Sequence, residues 1–326
     1  MKRFLGIVAV MGLAGLTPGT PAQEPNYRSL RGTVKVDGSS TVYPITEAVA
    51  EEFKAAAPRV NVTVGISGTG GGFKRFAAGE TDISDASRPI RQEEHAAAAE
   101  NRVEYIEIPV AYDGLSIVVN PKNTWVDHLT LEEVKSIFRE GTEVRTWRDV
   151  RPAWPDKPIS IFSPGTDSGT FDYFKEVVGS IRTDMSVAED DNILVRGVAG
   201  DEAAIGFFGV AYYLENKDKL KIVPIDAGKG AVGPTPETIE NGTYAPFSRP
   251  LFIYVNKRAA ERSEVRSFVQ FYLEEGPDLV EEVGYVRLPS QVYERARANF
   301  VSGRTGTQFM DASGTKVSGP VTEVYK

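Results

Sequence analysis

From Thr33 onward the chain alternates between two hydrophobic periods. "TVKVDG" is β-branched and alternating, which predicts a strand, and the stretch after it sets Ile45, Ala48, Val49 and Phe53 at helical spacing. "VNVTVGISGTGGG" repeats the theme as a strand closing in glycines, and "FKRFAAGE" then places Phe73, Phe76 and Ala77 on one helical face. "TDISDASRPI" and "YIEIPVAYDGLSIVVN" predict further strands, the second long enough to run from one lobe into another. In "TLEEVKSIF", Thr130 and Glu133 form a capping box ahead of Leu131, Val134, Ile137 and Phe138. "ISIFSPGTDSGTFDYFKEVVG" is a third strand, small-residue turn and helix, with Phe171, Phe174 and Val178 on one face.

Later, "AIGFFGVAYY" and "LKIVPID" predict buried strands, "FSRPLFIYVN" a second long crossover, and "EVRSFVQFYLEEG" and "PSQVYERARANF" amphipathic helices. "MDASGTKVSGPVTEVYK" is polar and rich in small residues, which predicts a loosely packed end. Two crossovers divide an α/β chain into two lobes, each a mostly parallel sheet flanked by helices. Lobe 1 spans 32–112 and 252–310, lobe 2 spans 113–251, and a polar tail covers 311–326. Such an arrangement leaves a cleft between the lobes.

Three strand-to-helix junctions, "GSST", "SGTGGG" and "TDSGT", share one chemistry. A helix opens with unpaired N–H groups and roughly half a positive charge, so an oxyanion satisfies both. Ser and Thr add hydroxyl donors, and Gly lets the backbone approach a ligand. Each junction alone is an ordinary N-cap or turn. Their repetition in one α/β chain, where ligands sit beyond the carboxyl ends of strands, makes them three anion-donor arrays.

Composition narrows the chemistry. With 37 basic and 45 acidic residues the net charge is −8, so no global basic field draws nucleic acid, and any anion must be held locally. Cysteine is absent, which excludes disulfides, thiol nucleophiles, Cys-ligated zinc and a lipoprotein anchor. His95 and His128 are too few for a multi-His metal site or a His-based triad, so neither cofactor nor metal is expected. "GISGT" lacks the second glycine of a nucleophile elbow, and "GTGGGFK" lacks the ending of a nucleotide P-loop. Asp190 and Asp191 suit a helix cap in a solvated loop better than a metal. The opening "MKRFLGIVAVMGLAGLTPGTPAQEP" has the layout of a secretory signal peptide, residues 1–22, which directs the mature chain to the periplasm.

"DGSSTVYPITEAVAEEF", "GISGTGGGFKRFAAGETDISDASRPI" and "SPGTDSGTFDYF", continued by "AIGFFGVAYY" and "GYVRLP", resemble the phosphate-binding protein of the bacterial high-affinity phosphate ABC transporter, in its cyanobacterial-type branch. The resemblance implies a type II periplasmic binding protein, non-catalytic and monomeric, that encloses inorganic phosphate between its lobes and delivers it to a membrane permease. It implies a site of Ser40, Thr41, the N–H of Val42, Thr69, Gly70, Ser168, Gly169 and Thr170. Two positions depart from the best-known members: Ser87 then Arg88 stand where those have an aspartate after Ala-Ser, and Pro164 stands where they have an arginine.

Those departures bear on selectivity. Phosphate carries a proton at neutral pH and sulfate none, so a carboxylate acceptor favours phosphate and leaves sulfate with two acceptors face to face. Asp113, at the first crossover, is the candidate acceptor, with Asp82 and Asp85 weaker ones, and Arg88 is the candidate bidentate clamp. Alternatives are another tetrahedral oxyanion (sulfate, arsenate or molybdate) and a secreted phosphatase-like enzyme using a cleft serine.

Overall fold

The computed structural model describes residues 26–166, 168–188 and 190–326; the expected signal peptide lies outside the described residues. The strands are β1 (Gly32–Gly38), β2 (Val60–Ile66), β3 (Ile83–Ala86), β4 (Tyr105–Val119), β5 (Leu129–Thr130), β6 (Ser160–Pro164), β7 (Ser186–Ala188), β8 (Ala204–Gly209), β9 (Lys221–Ile222), β10 (Ile225–Asp226), β11 (Ala231–Val232) and β12 (Ser248–Asn256). Eight run in the order β2-β1-β3-β12-β4-β8-β6-β7, β9 adds to β4, and β5, β10 and β11 make a small separate sheet.

The two ends of the long sheet are parallel: β1 lies between β2 and β3, and β6 lies between β7 and β8. The middle is antiparallel, where β12 pairs with both β3 and β4. All fifteen residues of β4 are buried. Its first part pairs with β12 as far as Gly114, and from Leu115 it pairs with β8. A side chain at Gly114 would meet Ile239 at 2.9 Å, so glycine stands where the strand changes partners. The long apolar crossovers read from the sequence are therefore two neighbouring strands that join the halves.

Helices cover the parallel ends. Tyr43–Ala56 buries Ile45, Val49 and Phe53, the stripe set by the sequence, while Ala48 is only partly buried. Leu131–Phe138 begins with the expected capping box, Thr130 Oγ1 accepting from the Glu133 N–H and a Glu133 carboxylate oxygen accepting from the Thr130 N–H. Asp190 caps the helix Asp191–Gly200 through the N–H of Asn192.

Three readings are corrected. The glycines of "SGTGGG" are not a turn but the first turns of the helix Gly68–Ala77. Their smallness serves packing: a Cβ on Gly72 would sit 2.6 Å from Gly38 Cα. "AIGFFGVAYY" is strand only to Gly209, and the rest is the helix Val210–Glu215. The tail is not loose. Val321, which opens a short helix, and Tyr325, which follows its end at Val324, are each 1 % exposed, and the Tyr325 hydroxyl donates to the Glu107 carbonyl at 2.9 Å. Arg295 Nη1 holds the carbonyls of Thr322 and Tyr325, each at 2.8 Å. A polar composition concealed two well-spaced apolar anchors.

Two buried carboxyls lie on β3 and β4. Burial pushes Asp85 up from 3.8 to about 8 and Glu107 from 4.5 to about 7, the latter despite donors from Thr307, the Gln308 N–H and Tyr254. Unfolded, both ionise at ordinary values, so between about pH 4.5 and 7 the native state binds more protons than the unfolded chain. Stability is greatest at the acid end of that window and is lost as pH rises, by about 1.4 kcal/mol per unit for each group. Melting temperature should therefore fall from pH 5 to pH 7, and Asp85→Asn with Glu107→Gln should flatten the profile. A wild-type melting temperature that rises across this window would contradict the shifts.

Candidate functional site

The site is built where three helix entrances face the crossover. At the first, Gly38 closes β1 with φ +148°, and a Cβ there would lie 2.1 Å from the Asp85 carbonyl, so only glycine fits. Ser39 then turns the chain: its N–H donates to the Asp85 carbonyl at 3.0 Å, and its own carbonyl accepts the N–H groups of Val42 at 3.2 Å and Tyr43 at 3.0 Å. The Thr41 N–H donates to Ser39 Oγ at 3.1 Å. The Val42 N–H, a candidate donor, is thus engaged within its own turn. The Ser40 and Thr41 side chains have partners outside the turn, Ser40 Oγ donating to Asp172 Oδ2 at 3.2 Å across the cleft and Thr41 Oγ1 accepting from Arg249.

At the second entrance, Thr69 and Ser87 are brought together. Their hydroxyls are 2.9 Å apart, and the Ser87 N–H donates to Thr69 Oγ1 at 3.2 Å. Gly70 faces open space. At the third, Ser168 Oγ accepts the Thr170 N–H at 3.2 Å and caps the helix Gly169–Val178. Gly169 abuts the first turn so closely that a Cβ would sit 2.7 Å from Thr41 Cα.

Arg88 lines the smaller of two cavities here with these donors. Its guanidinium is held by Glu94 through two bonds of 2.8 and 2.7 Å, and it lies over the Phe73 ring. A second guanidinium, Arg249, which the sequence reading missed, ties the first entrance to Asp113, although it is not among the residues lining either cavity. Arg249 and Asp113 are directly opposite in the β4–β12 register. Arg249 Nε approaches Asp113 Oδ2 at 3.4 Å, Nη2 donates to Thr41 Oγ1 at 3.1 Å, Nη1 donates to Glu176 Oε2 at 2.8 Å, and the plane rests 3.7 Å from the centre of the Tyr173 ring. The missed signal was an arginine, "FSRP", at the head of an apolar crossover run. Asp113 is 2 % exposed, and burial raises its carboxyl to about 6 against the pull of Arg249. Of the weaker acceptors, Asp82 is paired with Arg262 at 2.5 Å and Asp85 is enclosed in lobe 1.

Two adjoining cavities share Ser40 and Asp172. One, of about 390 Å³, is lined by Thr41, Thr69, Gly70, Ser87 and Arg88; the other, of about 660 Å³, by Asp113 and Ser168 to Thr170. Such a set of hydroxyls, one free helix entrance, a guanidinium and a carboxylate can hold a small oxyanion that still carries a proton. Among the described residues, no cluster of three His, Cys, Asp or Glu could hold a metal, and no helix is long and apolar enough to cross a membrane.

A two-lobed α/β chain with an anion-donor cleft at its crossover defines a solute-binding protein. The chain belongs to the PBP superfamily, whose domain matches residues 21–275. It is 48% identical to Protein SphX of Synechococcus elongatus over 94% of this chain and 91% of that one. It is 39% identical to the phosphate-binding protein PstS of Staphylococcus haemolyticus, over 89% and 92% respectively. Among solved structures, a possible phosphate binding protein from Planctomyces limnophilus superposes with a TM-score of 0.82 at 48% identity, over 85% of this chain and all of that one. An ABC-type phosphate transport receptor from Vibrio cholerae gives 0.62 at 25% identity, over 78% and 100%.

The contact of Gly169 with Thr41 sets how near the third entrance comes to the first. Gly169→Ala should wedge them apart and raise the radius of gyration in small-angle scattering; an unchanged profile would show that the contact does not govern the approach.

Proposed function

We propose that the protein captures inorganic phosphate in this cleft and delivers it to the permease of an ABC transporter, as a secreted, non-catalytic monomer. The observation that carries this reading is Arg249 set against Asp113 at the crossover, within reach of Thr41. In it, Arg249 supplies the guanidinium that the resemblance assigns to a position here occupied by Pro164. Asp113 supplies the acceptor for the phosphate proton. Ser40, Thr41, Thr69, Gly70 and Ser168 to Thr170 supply the remaining donors. Arg88, fixed by Glu94, shapes the wall behind Ser87 and is not the clamp. The lobes under this reading are 32–112 with 252–310, and 113–251, so Asp113 stands at the first boundary and Arg249 close to the second. The names of the relatives support the ligand and the transporter partner.

Calorimetric titration with phosphate, arsenate, sulfate and molybdate tests the reading directly. Phosphate should bind tightly and sulfate should not; flat phosphate heats with an unchanged melting temperature would sink it. Arg249→Ala removes charge-assisted bonds and should weaken phosphate binding by at least tenfold to a hundredfold, with Arg249→Lys between it and wild type. Asp113→Asn should narrow the gap between phosphate and sulfate. If both anions titrate as in wild type, Asp113 is not the acceptor.

A further inference from the structure

Asp172 was no part of the sequence reading, yet this exposed carboxylate is shared by both cavities of the cleft. It lies in the first turn of the helix Gly169–Val178, two residues past Thr170, and lines both cavities. An acid there commonly serves only to complement a helix dipole. Here Ser168 already caps the helix, and Asp172 Oδ2 accepts from Ser40 Oγ of the opposite lobe. Its carboxylate therefore bridges to the first entrance and lines the same cavity as Asp113. We propose that Asp172 is a second specificity-determining carboxylate, which with Asp113 makes the cleft take its tetrahedral anion doubly protonated and singly charged. This rests on the phosphate reading above.

The charges around it agree. Of the cations, Arg249 already faces Asp113 and Glu176, Arg88 is neutralised by Glu94, and Lys175 lies on Asp172's own helix. Of the anions, Glu176 is on that helix, and Asp191 lines the larger cavity with Asp113. The tyrosines there, Tyr43, Tyr212 and Tyr285, all have raised pKa values and keep their protons at neutral pH. An anion bearing two protons donates one to each of Asp113 and Asp172. With only one proton, a bare oxygen faces a carboxylate, which costs a hydrogen bond and adds like-charge repulsion. Sulfate faces both carboxylates bare.

The complex then holds two protons on the ligand, one facing each carboxylate. Above the second ionisation of phosphate, near neutrality, binding must take up a proton, so affinity falls about tenfold per pH unit. Below about pH 6, where Asp113 gains its own proton, binding must release one and affinity falls again.

The experiment is titration of the full chain with inorganic phosphate from about pH 5 to about pH 9, in buffers of different ionisation enthalpy, which counts the protons exchanged. Wild type should show an affinity maximum between its two limbs, with uptake of one proton on the alkaline side. In Asp172→Asn the alkaline limb and the proton uptake should vanish, because an amide also donates to a bare oxygen, and Asp172→Glu should restore them. A merely structural Asp172 would lower affinity equally at every pH. A wild-type alkaline limb that is absent, or that persists unchanged in Asp172→Asn, overturns the inference and leaves phosphate binding standing. Heats absent at every pH overturn the phosphate reading and this inference with it.

Discussion

The pairing of Arg249 with Asp113 is the constraint around which the rest is arranged. Two opposite charges face each other across antiparallel strands, one 2 % exposed and the other stacked on a tyrosine ring. Removing such a pair from water costs several kcal/mol per ion before their attraction is counted, so it is a poor device for stability. The surroundings reduce that cost at several points. Tyr173 offers its face to the guanidinium, Thr41 and Glu176 take its remaining directions, and the Tyr173 hydroxyl is itself fixed by the Pro246 carbonyl at 2.6 Å. A charge held this firmly, yet with its carboxylate partner raised to about 6, is balanced for exchange with a third party.

The same pair explains why both crossovers are single long strands. Were Asp113 and Arg249 on separate loops, their separation would vary with each loop's motion. On β4 and β12 it is set by ladder hydrogen bonds on either side. Close backbone approach does the corresponding work at the helix entrances. Gly38 against Asp85, Gly72 against Gly38, and Gly169 against Thr41 each replace a side chain with contact between main chains. The donors are thus placed by backbone packing, which leaves the hydroxyls of Ser40, Thr41, Thr69, Ser87 and Ser168 along the cavities.

Much of this was legible in the sequence. Periodicity located the strands, the stripe of Ile45, Val49 and Phe53, and the capping box at Thr130. The crossovers were visible as apolar runs too long for one lobe. Asp113 was singled out as a carboxylate in a crossover that borders the cleft. Arg249, in the other crossover, was passed over, because a local pattern does not report that residues 136 apart are directly opposite in a sheet. The partner of Arg88 was hidden for a related reason: Glu94 is only six residues on, but the pairing depends on how the chain turns at Pro89. The tail was misread because composition averages over Val321 and Tyr325, and burial is decided by those two residues alone.

A protein of net charge −8 that holds an anion must draw its grip from dipoles rather than from excess positive charge. Around this cleft every cation is already matched by a carboxylate or accompanied by one: Arg249 by Asp113 and Glu176, Arg88 by Glu94, Lys175 by its neighbour Glu176. Backbone N–H groups and hydroxyls, by contrast, are neutral and fixed in direction. They bind strongly only an anion whose shape meets them all, and they give little to an anion that is merely more highly charged. Matched charges make the cleft indifferent to charge in general, and long-range attraction to any anion is in any case screened by salt, so discrimination falls to the short-range match between the ligand's protons and the acceptors that meet them.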